Sequence, residues 1–330
     1  MLISTRTPLR VSLFGGGTDY PAFFQRERGA VIGFAVNKYI YISALPLQSF
    51  VDYRYRVSYS TTEIADGVEE IAHPVVRAAL TYYGYDQPTD FSIQADLPAS
   101  SGLGSSSSFT VGFIGMLSAL SGTPRTKLEL ARAAIHLEQV LLAENVGVQD
   151  QLHAAFGGIN RFSFEGDGIT IAPINMTGLA LRHLTGSMLL VHTGIKRRAT
   201  AVVAEQIKRT SAREVDVQLR AMLGLVDAAQ ALLEGGAGDV AGELARLLDE
   251  SWRLKRSLSS GISGGEIDDL YDFCRCQGAL GGKLCGAGGG GFLLMVVPPE
   301  RRAAFLEAVG PRRCVPIEVD MTGTVVLRSD

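Results

Sequence analysis

A chain of 330 residues, 46% hydrophobic and 20% charged, has ordinary globular composition and is long enough for two cores. Its 31 Lys and Arg against 34 Asp and Glu leave a net charge of −3, which excludes the basic footprint of a nucleic-acid partner or a polybasic membrane patch. The opening MLISTRTPLR carries Arg6 and Arg10 and no apolar stretch, so no secretory leader is expected. The longest apolar runs, 109–120 and FLLMVV at 292–297, are too short to span a bilayer, and a cytoplasmic protein is expected.

Residues 1–60 read as strands broken by turns: LISTRTPLRVSLF, the knot Gly15, Gly16 and Gly17, then AVIGFAVNKYIYISAL, rich in residues that strands favour. HPVVRAALTYY (73–83) reads as a short helix stopped by Gly84. FSIQA (91–95) alternates like a strand, and FTVGFIGMLSAL (109–120) is an apolar run of helical length. Between them lies DLPASSGLGSSSS (96–108). Its composition would suit a flexible linker. A Gly/Ser loop leading from a strand into a buried helix, however, gathers backbone N–H groups at a positive helix end, where glycine lets a phosphate approach. The phosphate reading is preferred.

TPRTKLELARAAIHLEQVLLAE carries a helix start and helical periodicity through Glu144. NVGVQDQLHAAFGGI follows, and INRFSFEGDGITIAPI reads as a hairpin around Gly166 and Gly168. Near residue 178 the texture changes. A strand over 186–194 precedes a region, 197–260, dominated by helices. A helix over 264–277, a glycine-rich stretch, a strand over 292–297, a helix over 299–309 and final strands over 313–327 complete the chain. The class is α+β, with expected domains at 1–178 and 179–330.

GAGGGG (286–291) formally fits GxGxxG, but a dinucleotide fingerprint needs a strand before it and a helix after it. Here a helix is expected before and a strand after, so the nicotinamide-cofactor reading is rejected. Lys283 in LGGKL lacks the Walker A glycine and the following Ser/Thr. What remains is a glycine-rich turn that needs close backbone approach, to a ligand or to another loop. The strained GxSxG elbow of a serine hydrolase is absent from the serine loop. Cys274, Cys276, Cys285 and Cys314 form no disulfide framework or metal spacing, and the histidines are scattered.

Phosphoryl transfer needs hard oxygens for Mg2+ and a group that orients or deprotonates the nucleophile. Glu138, on a helix of small and apolar residues, and Asp150, in a glycine-flanked turn, are the carboxylates in suitable company. Each has a bland reading: Glu138 as a solvated helix face, Asp150 as the N-cap of QLHAAF.

Three stretches in order along the chain resemble the GHMP small-molecule kinases, named for galactokinase, homoserine kinase, mevalonate kinase and phosphomevalonate kinase. PLRVSLFGGGTDYP (8–21) resembles the sugar-binding first motif, and PASSGLGSSSS (98–108) the phosphate-binding second. KLCGAGGGGF (283–292) resembles the third, with Cys285 where Thr or Gly is commoner. NKYIYIS (37–43), GVQDQLHAAFGGIN (147–160), HTGIKRRA (192–199) and SWRLKRSLSSGIS (251–263) resemble the branch that phosphorylates the anomeric hydroxyl of a heptose 7-phosphate for surface polysaccharide.

The resemblance implies an N-terminal domain of the ribosomal protein S5 domain 2-like type and a ferredoxin-like C-terminal domain, with ATP and sugar meeting between them. It implies that Gly102, Leu103, Gly104, Ser105, Ser106 and Ser107 wrap the ATP phosphates and that Ser106 and Glu138 hold Mg2+. Asp150 would orient or deprotonate the sugar hydroxyl, with Arg10 beside it as counter-charge. Gly16, Gly17, Thr18 and Asp19 fall on the implied sugar site, as do Gly288 and Gly289. Gly16 and Gly17 stand where galactokinases carry a Glu-His pair, which leaves room for a larger sugar. Arg197, in the basic run 196–198, is the expected reader of the sugar's own phosphate, because arginine meets a phosphomonoester bidentately. A solvated turn is the alternative for that run. A homodimer is compatible with these expectations. The competing functions are a kinase of another sugar and a non-catalytic sugar-binding regulator, the latter opposed by the joint presence of Ser106, Glu138 and Asp150.

Overall fold

The alternating first segment forms β1 (Leu2–Phe14), which turns through the glycine knot and a single helical turn, α1 (Pro21–Phe24), into the long β2 (Gly29–Pro46). The two pair antiparallel, with register shifts at Pro8/Leu9 and Ser12/Phe14 that bend the ribbon beside the knot. The computed structural model describes residues 1–195, 200–236 and 238–329. Among these residues β3 (Tyr55–Ser58), β4 (Thr62–Ala65), α2 (Pro74–Tyr83) and β5 (Thr89–Ala95) come next. Gly84 ends α2 at φ 61°, as its position after the last periodic residue predicts.

α3 (Ser105–Leu120) starts four residues earlier than the apolar run suggests, so the four serines form its first turn. From Ser107 to Ser118 every residue of α3 is buried, because the helix is wrapped by β1 and β2 on one side and by α4 (Lys127–His136) and α5 (Gln149–Phe156) on the other. A helix apolar all round takes such a central place. Thr126 and Glu129 close a capping box at the start of α4, and a π-helical turn over Leu137–Leu141 follows it. β6 (Ile159–Glu165) and β7 (Gly168–Pro173) form the expected hairpin.

The second half holds α6 (Gly178–Gly186), β8 (Met188–His192), α7 (Thr200–Ser211), α8 (Asp216–Gly235), α9 (Val240–Arg256), α10 (Gly265–Cys276), β9 (Gly281–Leu284), β10 (Phe292–Val296), α11 (Arg302–Val309), β11 (Cys314–Pro316) and β12 (Val325–Ser329). Sheet order β12-β1-β2-β5-β3-β4, with β6 added on β2 and β7 on β6, makes the larger sheet; β11-β8-β10-β9 makes the smaller. α6 and β9 lay outside the sequence expectations. The larger departure is at the C-terminus: β12 crosses back and pairs with β1 along Leu2 to Arg6. Residues 325–329 therefore complete the first sheet, although they fall within 179–330. α8 also packs on β2, and its Leu225, Val226 and Ala229 join the first core. The two halves are stitched by shared packing and not only by a linker.

Candidate active site

Arg10 lies near the middle of β1, with its side chain turned to the loop before α3. Its Nε and Nη2 donate to Asp150 Oδ1 and Oδ2 at 2.7 and 2.6 Å, a bidentate fork-to-carboxylate pair. Its Nη1 donates to the carbonyl of Gly102 at 2.7 Å, and its backbone N–H to the carbonyl of Leu103 at 3.0 Å. Burial disfavours the Arg10 charge, but the Asp150 carboxylate outweighs it and holds the guanidinium pKa above its ordinary value. Asp150 sits in the first turn of α5. The N-cap position belongs to Val148, so the bland N-cap reading of Asp150 fails.

The pair faces a cleft of about 280 Å3 that Gly102, Gly104, Ser105 and Ser106 also line. Gly102 and Gly104 take φ +76° and +73°, which places them in the left-handed region that glycine tolerates. Close approach adds to the demand: a Cβ on Gly104 would sit 3.2 Å from Arg10 Cγ and Asp150 Oδ2. Leu103 and Ser107 are buried behind the loop and do not line the cleft. Leu103 serves by offering its carbonyl to Arg10.

The expected pairing of Ser106 with Glu138 is corrected. The Glu138 carboxylate accepts from Ser107 Oγ at 2.9 Å, from Thr110 Oγ1 at 2.7 Å and from Gln151 Nε2. Positions 107 and 110 are one helical turn apart and share a face of α3, whereas Ser106 is rotated toward the cleft. Glu138 has no exposed surface, so it is not a solvated helix carboxylate either. Burial raises its pKa to about 7 despite the three donors. With those lone pairs engaged and the carboxyl shut away from both the cleft and the neighbouring pocket, Ser106 and Glu138 do not fit a resident Mg2+ site. Among the described residues no group of three or more His, Cys, Asp or Glu is placed to hold a metal.

Asp19 is brought to the cleft and held by the Gly17 N–H and Gln149 Nε2, both at 2.9 Å. Burial raises its pKa. A Cβ on Gly147 would lie 2.0 Å from Asp19 Oδ2, which accounts for glycine there. Gly16 and Gly17 line the cleft, but Thr18 does not; its hydroxyl bonds the carbonyls of Gly15 and Ala30 and ties the knot to β2. Ser12 Oγ and Gln149 Oε1 also belong to cleft-lining residues and have no hydrogen-bond partner. A sugar hydroxyl can fill such a gap.

The glycine-rich turn approaches another loop. A strand, β9, does precede it, but β10 follows, so no helix N-terminus is presented and the dinucleotide reading stays rejected. A Cβ on Gly286 would fall 2.5 Å from Gly102 Cα, and one on Gly291 2.4 Å from the Ser101 carbonyl. Gly288 packs against Ile262 and the Gly289 N–H bonds the Ile262 carbonyl, so neither reaches the cleft; Gly286 and Ala287 do. Arg197 lies outside the described residues. Sequence reasoning missed Lys255 and Lys283, both buried in the cleft wall. The signal for Lys255 was available. It falls on the apolar face of α9 at helical spacing from Leu244, Leu248 and Trp252, where a lysine has no reason to be unless its charge is used.

Residues 70–158 match the GHMP kinases N terminal domain and residues 228–315 the GHMP kinases C terminal domain. The chain is 28% identical over 301 residues to a D-glycero-alpha-D-manno-heptose 7-phosphate kinase of Campylobacter jejuni, covering 87% of this chain and 86% of that one. It is 25% identical over 317 residues to a galactokinase of Thermotoga maritima, covering 87% of each. A solved D-glycero-D-manno-heptose 1-phosphate kinase from Bacteroides thetaiotaomicron superposes with TM-score 0.80 at 22% identity over 99% of both chains, which shows the fold. Both family halves, in order along the chain and on a two-domain fold, make this chain a member of the GHMP kinases, ATP-dependent small-molecule phosphotransferases.

Proposed function

We propose that the protein phosphorylates the anomeric hydroxyl of D-glycero-D-manno-heptose 7-phosphate, giving the 1,7-bisphosphate in the cytoplasm. The observation that carries the chemistry is the bidentate Arg10–Asp150 pair, set against the Gly102–Gly104 turn at the mouth of α3. The substrate class rests on the Campylobacter relative and on the small first-motif residues Gly16 and Gly17. The ATP phosphates take the backbone N–H groups at the start of α3, aided by the helix dipole. The nucleoside takes the adjoining pocket of about 710 Å3, which shares Ser100, Ser105 and Ser106 with the cleft and is walled by Tyr59, His73 and Phe109. Mg2+ travels with the nucleotide as part of that substrate.

Asp150 orients the attacking hydroxyl and accepts its proton, while Arg10 fixes the carboxylate rotamer. Asp19, Gln149 and Ser12 hold sugar hydroxyls. Arg197 remains the candidate for the sugar's own phosphate by sequence. ADP release coupled to a spectroscopic readout, measured across heptose 7-phosphate, unphosphorylated heptose, fucose and galactose, tests the assignment. Heptose 7-phosphate should give the highest kcat/KM. A preference for any unphosphorylated sugar would overturn the substrate, and no turnover on any of them would revive the sugar-binding regulator.

A further inference from the structure

Two ammonium groups are buried in the C-terminal wall of the cleft, and neither has a carboxylate within ion-pair distance among the described residues. Lys255, near the end of α9, is 8% exposed and among the described residues donates only to the carbonyl of Gly286. Lys283, on β9, is 2% exposed and donates only to the carbonyl of Leu13 at 2.8 Å. A buried ammonium has three donors and a charge that water no longer solvates. One carbonyl each leaves both groups short of partners. Cys285 and the cleft carboxylates Asp19 and Asp150 attract the Lys255 ammonium, and Arg10 opposes it. Lys283 in turn stands beside Lys255, Arg10 and Cys285.

The position of Lys255 decides which anion it awaits. Its partner Gly286 packs directly on Gly102, the residue whose carbonyl holds Arg10. Lys255 thus stands where the phosphate loop, the Arg10–Asp150 pair and the third glycine motif converge, which is the point of phosphoryl transfer and not the far end of a sugar. We propose that Lys255 is a catalytic residue, the cation that the C-terminal half contributes to the phosphoryl group in transit. The inference rests on the kinase reading of the Arg10–Asp150 cleft. In the step, the acceptor oxygen forms a bond to the γ-phosphorus and its proton passes to Asp150. The bond from phosphorus to the β,γ-bridging oxygen breaks, and that electron pair leaves on ADP. Lys255 exchanges no proton; it neutralises charge on the equatorial oxygens, an effect realised most fully in the transition state.

The test is Lys255→Met and Lys255→Arg in the full chain, with kcat and both KM values measured alongside binding of a non-hydrolysable β,γ-imido ATP analogue. Lys255→Met should lower kcat by about 10²–10³, with each KM and the analogue affinity within about threefold of wild type, and Lys255→Arg should recover at least tenfold of the loss. Burial pushes the Lys255 pKa down to about 8, among Arg10, Asp19, Asp150 and Cys285, with Lys283 close by. The wild-type kcat/KM should therefore fall above about pH 8, and Lys255→Arg, whose guanidinium stays charged, should lose that limb. That arm still tests the proposal if the Met variant does not fold. Unchanged kcat in Lys255→Met, or an alkaline limb retained in Lys255→Arg, would overturn it. A loss confined to KM for the sugar phosphate would overturn it as well and move Lys255 to the acceptor's own phosphate. Asp150→Asn separates the two readings: full activity there would defeat the Asp150 assignment while leaving the Lys255 result standing.

Discussion

The two walls of the cleft treat charge in opposite ways. On the N-terminal wall Arg10 and Asp150 neutralise each other across two short hydrogen bonds, and Asp19 is held by Gly17 and Gln149. On the C-terminal wall Lys255 and Lys283 are buried with one backbone carbonyl apiece. Burial without a counter-ion lowers both pKa values, to about 8 and about 7. The paired wall is ordered before any ligand arrives, whereas the unpaired wall is complete only when an anion does. Under the proposed mechanism, a site divided in this way keeps its base and orienter rigid and gives its electrostatic attraction to the transferred group.

Substitutions on the paired wall test the comparison most severely. Asp150→Asn keeps the shape and removes the base, and kcat should fall by roughly 10²–10⁴ with nucleotide affinity nearly unchanged; turnover close to wild type in the coupled assay would break the reading. Arg10→Met removes one member of a buried pair and should cost about 3 kcal/mol of stability, read as a lowered urea midpoint at constant m-value. A midpoint within error of wild type would mean that the pair contributes nothing beyond packing.

Behind the paired wall, Glu138 sharpens the contrast, because it is buried with neutral donors only. Its folded pKa of about 7 lies above the ordinary carboxylate value, so the native state binds this proton more tightly than the unfolded chain. Stability from this group is greatest at low pH and declines as pH rises between about 4.5 and 7. The span is at most roughly 3 kcal/mol. Glu138→Gln should flatten that part of the stability–pH curve and leave the Mg2+ titration of activity superimposed on wild type. A weakened Mg2+ response would restore Glu138 as a metal ligand.

The smallest expected effect is at the seam between the walls. Gly286→Ala places a Cβ against Gly102 at φ +71°, and should cost roughly 1–3 kcal/mol while raising KM for ATP more than KM for the sugar. An unchanged KM for ATP would show that the contact between the loops does not shape the phosphate cradle.

Much of this was legible in the order of residues. Strand alternation in β5, the helix start before α4, the stop at Gly84 and the three glycine motifs all announce themselves locally. Asp150 was identifiable by its company, and so was the loop from Gly102 to Ser106. Glu138 was identified as a carboxylate of interest, but its direction was not legible, because Ser106 and Ser107 differ only by one step of helix rotation. Thr18, Gly288 and Gly289 lie in motifs that reach the cleft, yet Thr18 and Gly289 turn their hydrogen bonds inward to their own scaffold and Gly288 packs on Ile262.

Periodicity and residue types at short range were enough for the α+β class and for the Gly/Ser loop that leads into α3, whereas the pairing of Arg10 with Asp150, 140 residues apart, was implied by the family resemblance alone. Only the tertiary structure decided that β12 returns to β1, that Ser107 rather than Ser106 meets Glu138, and that Lys255 and Lys283 close the cleft from the far side. Each of those depends on contacts between segments distant in the chain: Lys283 meets Leu13 across 270 residues. Local propensity does not encode such encounters; they form only when the two cores pack against each other.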